Sequence, residues 1–529
     1  MASEHGLTGV DTKGIIQVLL LAGVFLSSLA EALTGTALSL GRLDMMGDLY
    51  TTPDEFAWLD IGYIAAKLCG FMLVPALFAR FKPIPVLLFF CGVIIAGSVF
   101  MACSSSLFFL IFLRIAQGLA GGVLLVGAQS VLFNVFNRKL QPLAQLVFAL
   151  GAVVAPATFA SLFLGLMVDF LAWEAIFFVA AILALIAFFV LSLIPFDVMP
   201  CSGSRRRDLF GFLLFAAAAA CLTYIAQEGS RWNWFEANHI IALTVSGFTA
   251  LLLCVLRWSF FPRQDSLVCL CVFGNLNFCF GFLISFVAGM ALFGSTTMIP
   301  GFTLNTLHFT ATEAGTLNAA GGIAFCIALI LTVLLLSFTR VNPLATVPFG
   351  ILLFMVGMWQ LSGSTSETGS VELFVPILIR GAGLGFLFLS LTIFTLENLT
   401  DSNIAQGVAL FTTNRQLGGL FGVAMLQRYM DHQDALNISI LSSHMENGSV
   451  FVAERLQVMQ AALQERGMEA GDTARAAMAL LHKNLQEQSS TISFNEVFFA
   501  IILIFVTAIP FLILFKIWLS KYFSGKVAA

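Results

Sequence analysis

The sequence predicts an all-α polytopic membrane protein with about 14 transmembrane helices. Three observations predict it. The 529-residue chain is 59% hydrophobic and only 10% charged, a composition outside that of soluble domains. Apolar runs near the ~20 residues needed to cross a bilayer recur about fourteen times. Basic residues gather in every second short loop, the alternation that a chain crossing a membrane repeatedly should show.

The runs span approximately 15–40, 56–79, 84–103, 107–133, 143–168, 173–195, 209–227, 238–259, 267–300, 314–338, 344–361, 373–396, 405–428 and 494–520. The basic loops hold Arg80 and Lys82, Arg138 and Lys139, Arg205–Arg207, Arg257 and Arg263, and Arg340, followed by Lys516, Lys521 and Lys526 in the tail. The alternate loops are mostly acidic. Both termini are then expected in the cytoplasm, which requires an even number of spans. The short polar N-terminus lacks the basic start and cleavage site of a signal peptide, so the first helix is expected to be retained.

Two segments organise the chain. The basic stretch Pro200–Asp208 follows six runs and reads as a cytoplasmic link. It divides the chain into a first bundle (1–199), a link with two extra helices (200–264) and a second bundle (265–529). The second segment, 429–493, is the only long polar stretch, and orientation places it outside. Within it Leu456, Met459 and Leu463, then Met478, Leu481 and Leu485, recur at helical spacing, consistent with an amphipathic pair.

Composition also excludes functions. A net charge of −4 argues against a nucleic-acid partner. The 10 cysteines are scattered through apolar runs and the six histidines fall in tails, loops or segment ends. No disulfide framework, metal site or cofactor is expected. No His or Cys constellation or pair of acids marks an enzyme.

Glu31 is the one formal charge in the first run. An ionised carboxylate near mid-membrane costs about 2.5–3.5 kcal/mol on insertion scales. That cost falls when the group takes up a proton, because burial disfavours the charged form. Glu31 therefore reads as a proton-exchanging acid and the protein as a transporter. The second run carries Asp60 and Lys67, on one face but about 10 Å apart along the axis. Each is expected to face another helix or a watery cavity. The fourth carries Arg114 and Gln117 on one face, with Gly118, Gly121 and Gly122 allowing close helix approach. At ~1.5 Å per residue, Glu31 and Arg114 lie at matched depths of roughly 13 and 12 Å from the outer surface. Mutual action of these two is the expectation: the guanidinium favours a charged Glu31 and desolvation opposes it. In the second half, Arg380 precedes a run of glycines and stands early enough to snorkel to the surface. Arg415 precedes Gly418, Gly419 and Gly422, which read as close packing. Asn275 and Asn277 read as cavity groups or as interhelical glue.

These residues resemble the 14-helix drug:proton antiporters of the major facilitator superfamily over nearly the whole chain. AEALTGTALS is similar to the family's first-helix L-D-x-T-x-x-N-x-A-L-P, with Glu31 at the usual Asp. LRIAQGLAGG matches the fourth-helix L-x-x-x-R-x-x-Q-G-x-G at Arg114, Gln117 and Gly118. GAVVAP, Gly151 to Pro156, resembles the antiporter motif G-x-x-x-G-P, with Ala155 at its second glycine. TTNRQLGGLFGVAM resembles the thirteenth-helix R-x-L-G-G-S-I-G. GLMVDFLAWEAIFF follows the family pattern with Glu174 where Arg is usual.

The resemblance implies a major facilitator fold: two six-helix bundles with two inserted helices and alternating access around a central cavity. It implies export of amphiphilic small molecules driven by a proton gradient across the bacterial inner membrane. Glu31 would accept the proton and Arg114 would tune it, with Asp60, Lys67 and Gln117 in the cavity. Some Gram-negative relatives work with a periplasmic adaptor, and the outer stretch 429–493 is compatible with that. A dedicated exporter of one metabolite, lipid or siderophore is an alternative, and Lys67 would suit an anionic substrate. A non-transporting membrane receptor is another.

Overall fold

A computed structural model describes residues 8–40, 42–156, 158, 173–195, 208–260, 270–338, 343–443 and 450–527. Every regular element among them is helical. The first bundle contains α1 (Thr8–Leu40), the short α2 (Arg42–Asp48), α3 (Pro53–Arg80), α4 (Pro83–Cys103), α5 (Leu107–Val135), α6 (Gln141–Ala149) and α7 (Glu174–Ser192). The inserted pair is α8 (Leu209–Glu228) and α9 (Asn238–Phe260). The second bundle contains α10 (Leu276–Gly301), α11 (Ala311–Phe338), α12 (Pro343–Leu361), α13 (Ser370–Leu396), α14 (Asp401–Ser443), α15 (Val450–Glu465) and α16 (Ala470–Val527).

Local chemistry sets the boundaries. Thr52 caps α3 in a capping box: its hydroxyl accepts from the Glu55 amide at 3.4 Å, and the Glu55 carboxylate accepts from the Thr52 amide at 3.0 Å. Pro53 then occupies the first turn, where its missing N–H goes unneeded. Thr310 and Glu313 repeat the box ahead of α11. Asp208 caps α8 through the Gly211 amide at 2.9 Å and pairs with Arg257 of α9 at 2.8 Å, which closes the inserted hairpin. A π-helical turn, 150–154, continues α6, and another, 302–306, continues α10 after Pro300.

Twelve helices among the described residues are long and apolar enough to span a bilayer. The fifth run, 143–168, lies partly outside the described residues, which include its apolar start Gln141–Val154. The thirteenth run forms the first half of α14, where Asn403, Gln406, Asn414, Arg415 and Gln416 dilute its apolar character. These two, added to the twelve, are consistent with 14 spans. The basic link Pro200–Asp208 falls outside the described residues except for Asp208.

The polar stretch 429–493 is largely helical where it is described. α14 runs unbroken for 43 residues, about 65 Å at 1.5 Å per residue, so it outruns a ~30 Å hydrocarbon core. α15 then packs against the start of the 58-residue α16. The reason is in the sequence: no proline and no glycine occurs between Val423 and Ser443 to stop α14. Seven described cysteines are free thiols.

In the first bundle α3 packs on α5, and α7 packs on α1 and α4. In the second, α13 packs on α11 and α12, and α14 on α10. The bundles meet where α14 lies against α3 and α5, and where α6 lies against α11 and α13. The inserted pair leans on α3 and touches α14.

Candidate functional site

The polar residues of the first bundle converge where α1, α3 and α5 cross. Glu31, only 1% exposed, receives Lys67 Nζ at 2.5 Å on its Oε1. The same oxygen accepts a hydrogen bond from the Tyr63 hydroxyl at 2.8 Å. Glycines on α5 create the space. A Cβ at Gly121 would lie 2.7 Å from Glu31 Cγ, and one at Gly118 would strike the Tyr63 backbone. A Cβ at Gly122 would press on the α3 backbone, 3.0 Å from Gly70 Cα. Helix-on-helix contact at backbone distance is what small residues permit inside a membrane protein.

Arg114 is fully buried one layer away. Its Nη1 donates to the Thr34 carbonyl at 2.9 Å and lies 3.5 Å from Gln117 Oε1. Its Nη2 stands 3.8 Å from Asp60 Oδ1, and its guanidinium lies 4.2 Å from the Tyr63 ring centroid. Gln117 Nε2 in turn donates to Ser98 Oγ of α4 at 3.2 Å. Arg114 Nε and Nη2 have no hydrogen-bond partner among the described residues.

This arrangement corrects one expectation. The direct partner of Glu31 is Lys67, and Arg114 reaches Asp60 and the Thr34 carbonyl instead. Thr34 lies one turn from Glu31 on α1, so Arg114 reaches the neighbouring turn, but depth does not say which way a side chain turns. Tyr63 separates the two: its hydroxyl touches the acid and its ring touches the guanidinium. Two acids and two bases thus share one buried cluster with zero formal sum. Asp60 is 32% exposed and Lys67 15%, so the cluster is closed at Glu31 and more open at its edges.

Tyr63 and Ser98 were not singled out from the sequence. A signal for Tyr63 exists: Asp60, Tyr63 and Lys67 recur at helical spacing on one face of α3.

The remaining residues lie outside this cluster. Asn275 is the N-cap of α10; its side chain accepts from the Asn277 amide at 2.9 Å and donates to the Asn398 carbonyl at 3.2 Å. Asn275 therefore caps α10 and ties its start to the segment after α13, because an Asn one residue before a helix finds the free amides there. Arg380 is 5% exposed, so it does not snorkel. Its α13 backbone is wedged against Gly357 of α12, which holds the side chain inward. Gly381 abuts Gly321 of α11, repeating in the second bundle the contact of Gly118 with α3. Arg415 lies 4.4 Å from the Phe388 ring centroid and 5.4 Å from that of Phe411. Gly418 and Gly419 face Phe286 and Phe293 of α10. A Cβ at Gly151 would meet Ser28 Oγ at 2.5 Å, and Pro156 follows within the described part of that segment.

An all-helical, two-bundle membrane fold with a charge cluster buried in one bundle defines a secondary-transporter class. Residues 20–423 match the profile of the Major Facilitator Superfamily, and the chain belongs to that family. It is 24% identical over 520 residues to the multidrug export protein EmrB of Haemophilus influenzae, covering 96% of each chain. It is 27% identical over 311 residues to the colistin resistance protein EmrB of Acinetobacter baumannii, covering 58% of each. The structure of the proton:xylose symporter XylE aligns with a TM-score of 0.52 at 14% identity, covering 90% of this chain and 98% of that one. That likeness concerns the fold.

Proposed function

We propose that the protein is a proton-coupled exporter of hydrophobic or amphiphilic small molecules, working by alternating access in the bacterial inner membrane with both termini in the cytoplasm. Family membership and relatives named as multidrug exporters support export. One observation carries the proton coupling: a carboxylate 1% exposed, held by one ammonium and one phenol at the crossing of three helices.

Protonation of Glu31 removes the charge that Lys67 answers. Breaking a buried pair from one side costs about 3–5 kcal/mol, so the contact of α1 with α3 must rearrange. Lys67 then faces a watery cavity or a substrate, and Tyr63 carries the change to Arg114. Release of the proton on the other side restores the pair. The energy source is the proton gradient; no cofactor enters the scheme. On this reading a periplasmic adaptor would dock on α15 and the polar ends of α14 and α16.

Proteoliposomes with a trapped pH indicator test the reading. Addition of an exported amphiphile should produce substrate-linked proton movement. Absence of such movement for every compound class would instead favour a receptor.

A further inference from the structure

We propose that the second bundle holds a separate site for a short alkyl diammonium, in the polar cavity where α10, α14 and α16 meet. The site lies apart from the Glu31 cluster and does not depend on the export reading.

The first observation is a pair of acids without a cation. The cavity has a volume of about 240 Å³. α14 lends it Asp431 and Asp434, three residues apart and so on one face. Asp431 is exposed at the rim and Asp434 is half-buried. Only neutral groups hold the two carboxylates. Asp431 accepts from Gln427 Nε2 at 3.0 Å and from the hydroxyl of Ser230, at the tip of the inserted hairpin. Asp434 accepts from Ser489 Oγ at 2.7 Å and from Ser490 Oγ at 3.5 Å. Such donors orient a carboxylate without cancelling its charge. No Lys, Arg or His lines the cavity. His308 and Lys483 pair with Glu487 instead, at 3.1 and 3.6 Å. Arg428, one turn before Asp431, makes no ion pair with either acid among the described residues. Glu496 of α16, 3.5 Å from Asn437 Nδ2, adds a further acid to the contact of α14 with α16.

The second observation is an unmet hydroxyl. Thr306 lines the cavity from the π-helical turn that continues α10, a kind of turn that recurs at functional sites. It is 4% exposed, and its hydroxyl has no hydrogen-bond partner among the described residues. Thr303 in the same turn bonds back to the Ile299 carbonyl at 3.2 Å. A buried hydroxyl left unmet is costly, and a donor in the cavity would meet it.

Chemistry then selects the ligand. A bare calcium ion takes six to eight oxygens at about 2.3–2.6 Å, and a cavity with room for several waters does not bring its walls that close. Among the described residues no three His, Cys, Asp or Glu side chains are grouped to hold a metal. A primary ammonium has three N–H donors and no acceptor, which suits a wall of carboxylate and hydroxyl oxygens. Two ammoniums on a short chain answer two acids one turn apart. Met298, Met430 and Phe494 give the methylenes an apolar side.

The test is calorimetric titration of the full chain in phosphatidylcholine nanodiscs at constant ionic strength, with empty discs as blank. The titrants are putrescine, butylamine and magnesium chloride. The wild-type chain should bind one putrescine, about tenfold tighter than butylamine, because the second ammonium adds a charge-assisted hydrogen bond. Asp431→Asn and Asp434→Asn should each weaken putrescine about tenfold and bring it level with butylamine. Glu454→Gln, on the exposed face of α15, should leave binding unchanged. Absence of saturable putrescine binding by the wild-type chain overturns the proposal, and that arm needs no variant. Unchanged binding in both Asp variants, or an equal loss in Glu454→Gln, overturns it too. Magnesium that binds tighter than putrescine and weakens in Asp434→Asn would make this a metal site and also overturn it. No gradient is applied, so a chain that binds putrescine yet moves no protons refutes the export reading alone.

Discussion

Lys67 Nζ and Glu31 Oε1 lie 2.5 Å apart across the contact of α3 with α1, although the two side chains start from different depths in their helices. Lys67 starts roughly 5 Å deeper at ~1.5 Å per residue, and its long flexible stem spans the difference. The pair is the centre of the buried cluster, and the consequences below follow from it.

Tyr63 acts on both sides of this pair. Tyr63→Phe removes the hydroxyl from Glu31 and leaves the ring beside Arg114. A hydrogen bond to a charged group contributes ~1.5–3 kcal/mol, so proton-driven transport should fall about tenfold or more. Tyr63→Ala also removes the ring and should fall further. Initial rates in vesicles check the order.

The glycines of α5 set the spacing. Gly118→Ala puts a Cβ into the Tyr63 backbone, which cannot step aside as a side chain would. Overpacking of this kind costs about 1–3 kcal/mol, to be read as a lower unfolding temperature in detergent. At Gly92 a Cβ meets nothing within 4 Å. Gly92→Ala should leave stability unchanged or raise it by about 0.5–1 kcal/mol through helix propensity.

The turn of the inserted hairpin touches both bundles. Arg231 pairs with Asp54 of α3, and Ser230 donates to Asp431 of α14. Arg231 and Asp54 are 46% and 50% exposed, so Arg231→Ala should change stability by less than about 1 kcal/mol. Motion is a different matter. A Ser230→Cys, Asp431→Cys double variant should cross-link on oxidation, stop transport and recover with reductant. Full transport by the cross-linked protein would show that the hairpin and α14 move together.

The helical membrane class was plain from composition and run length, because lipid forces every backbone group to bond within the helix. Glu31, Arg114, Asp60 and Lys67 stood out for the same reason: charge in an apolar run is rare. Their pairing was not legible. Helical spacing ranks residues on one helix, while the rotation of α1 against α3 is set by glycines at Gly118, Gly121 and Gly122 that the sequence shows but does not assign to a neighbour. Helices within 429–493 were legible from their spacing, but the unbroken run of α14 through Ser443 was not, because hydropathy marks the end of an apolar run and not the end of a helix. The caps at Asn275 and the inward hold on Arg380 depend on contacts between segments far apart in the chain.

The most direct test is Glu31→Gln in proteoliposomes under an imposed pH gradient. The amide keeps the shape and a hydrogen bond to Tyr63 but has no proton to exchange. Gradient-driven export should vanish and its dependence on pH should flatten, while folding and substrate binding persist. Export by Glu31→Gln at the wild-type rate and with the wild-type pH profile would contradict the account.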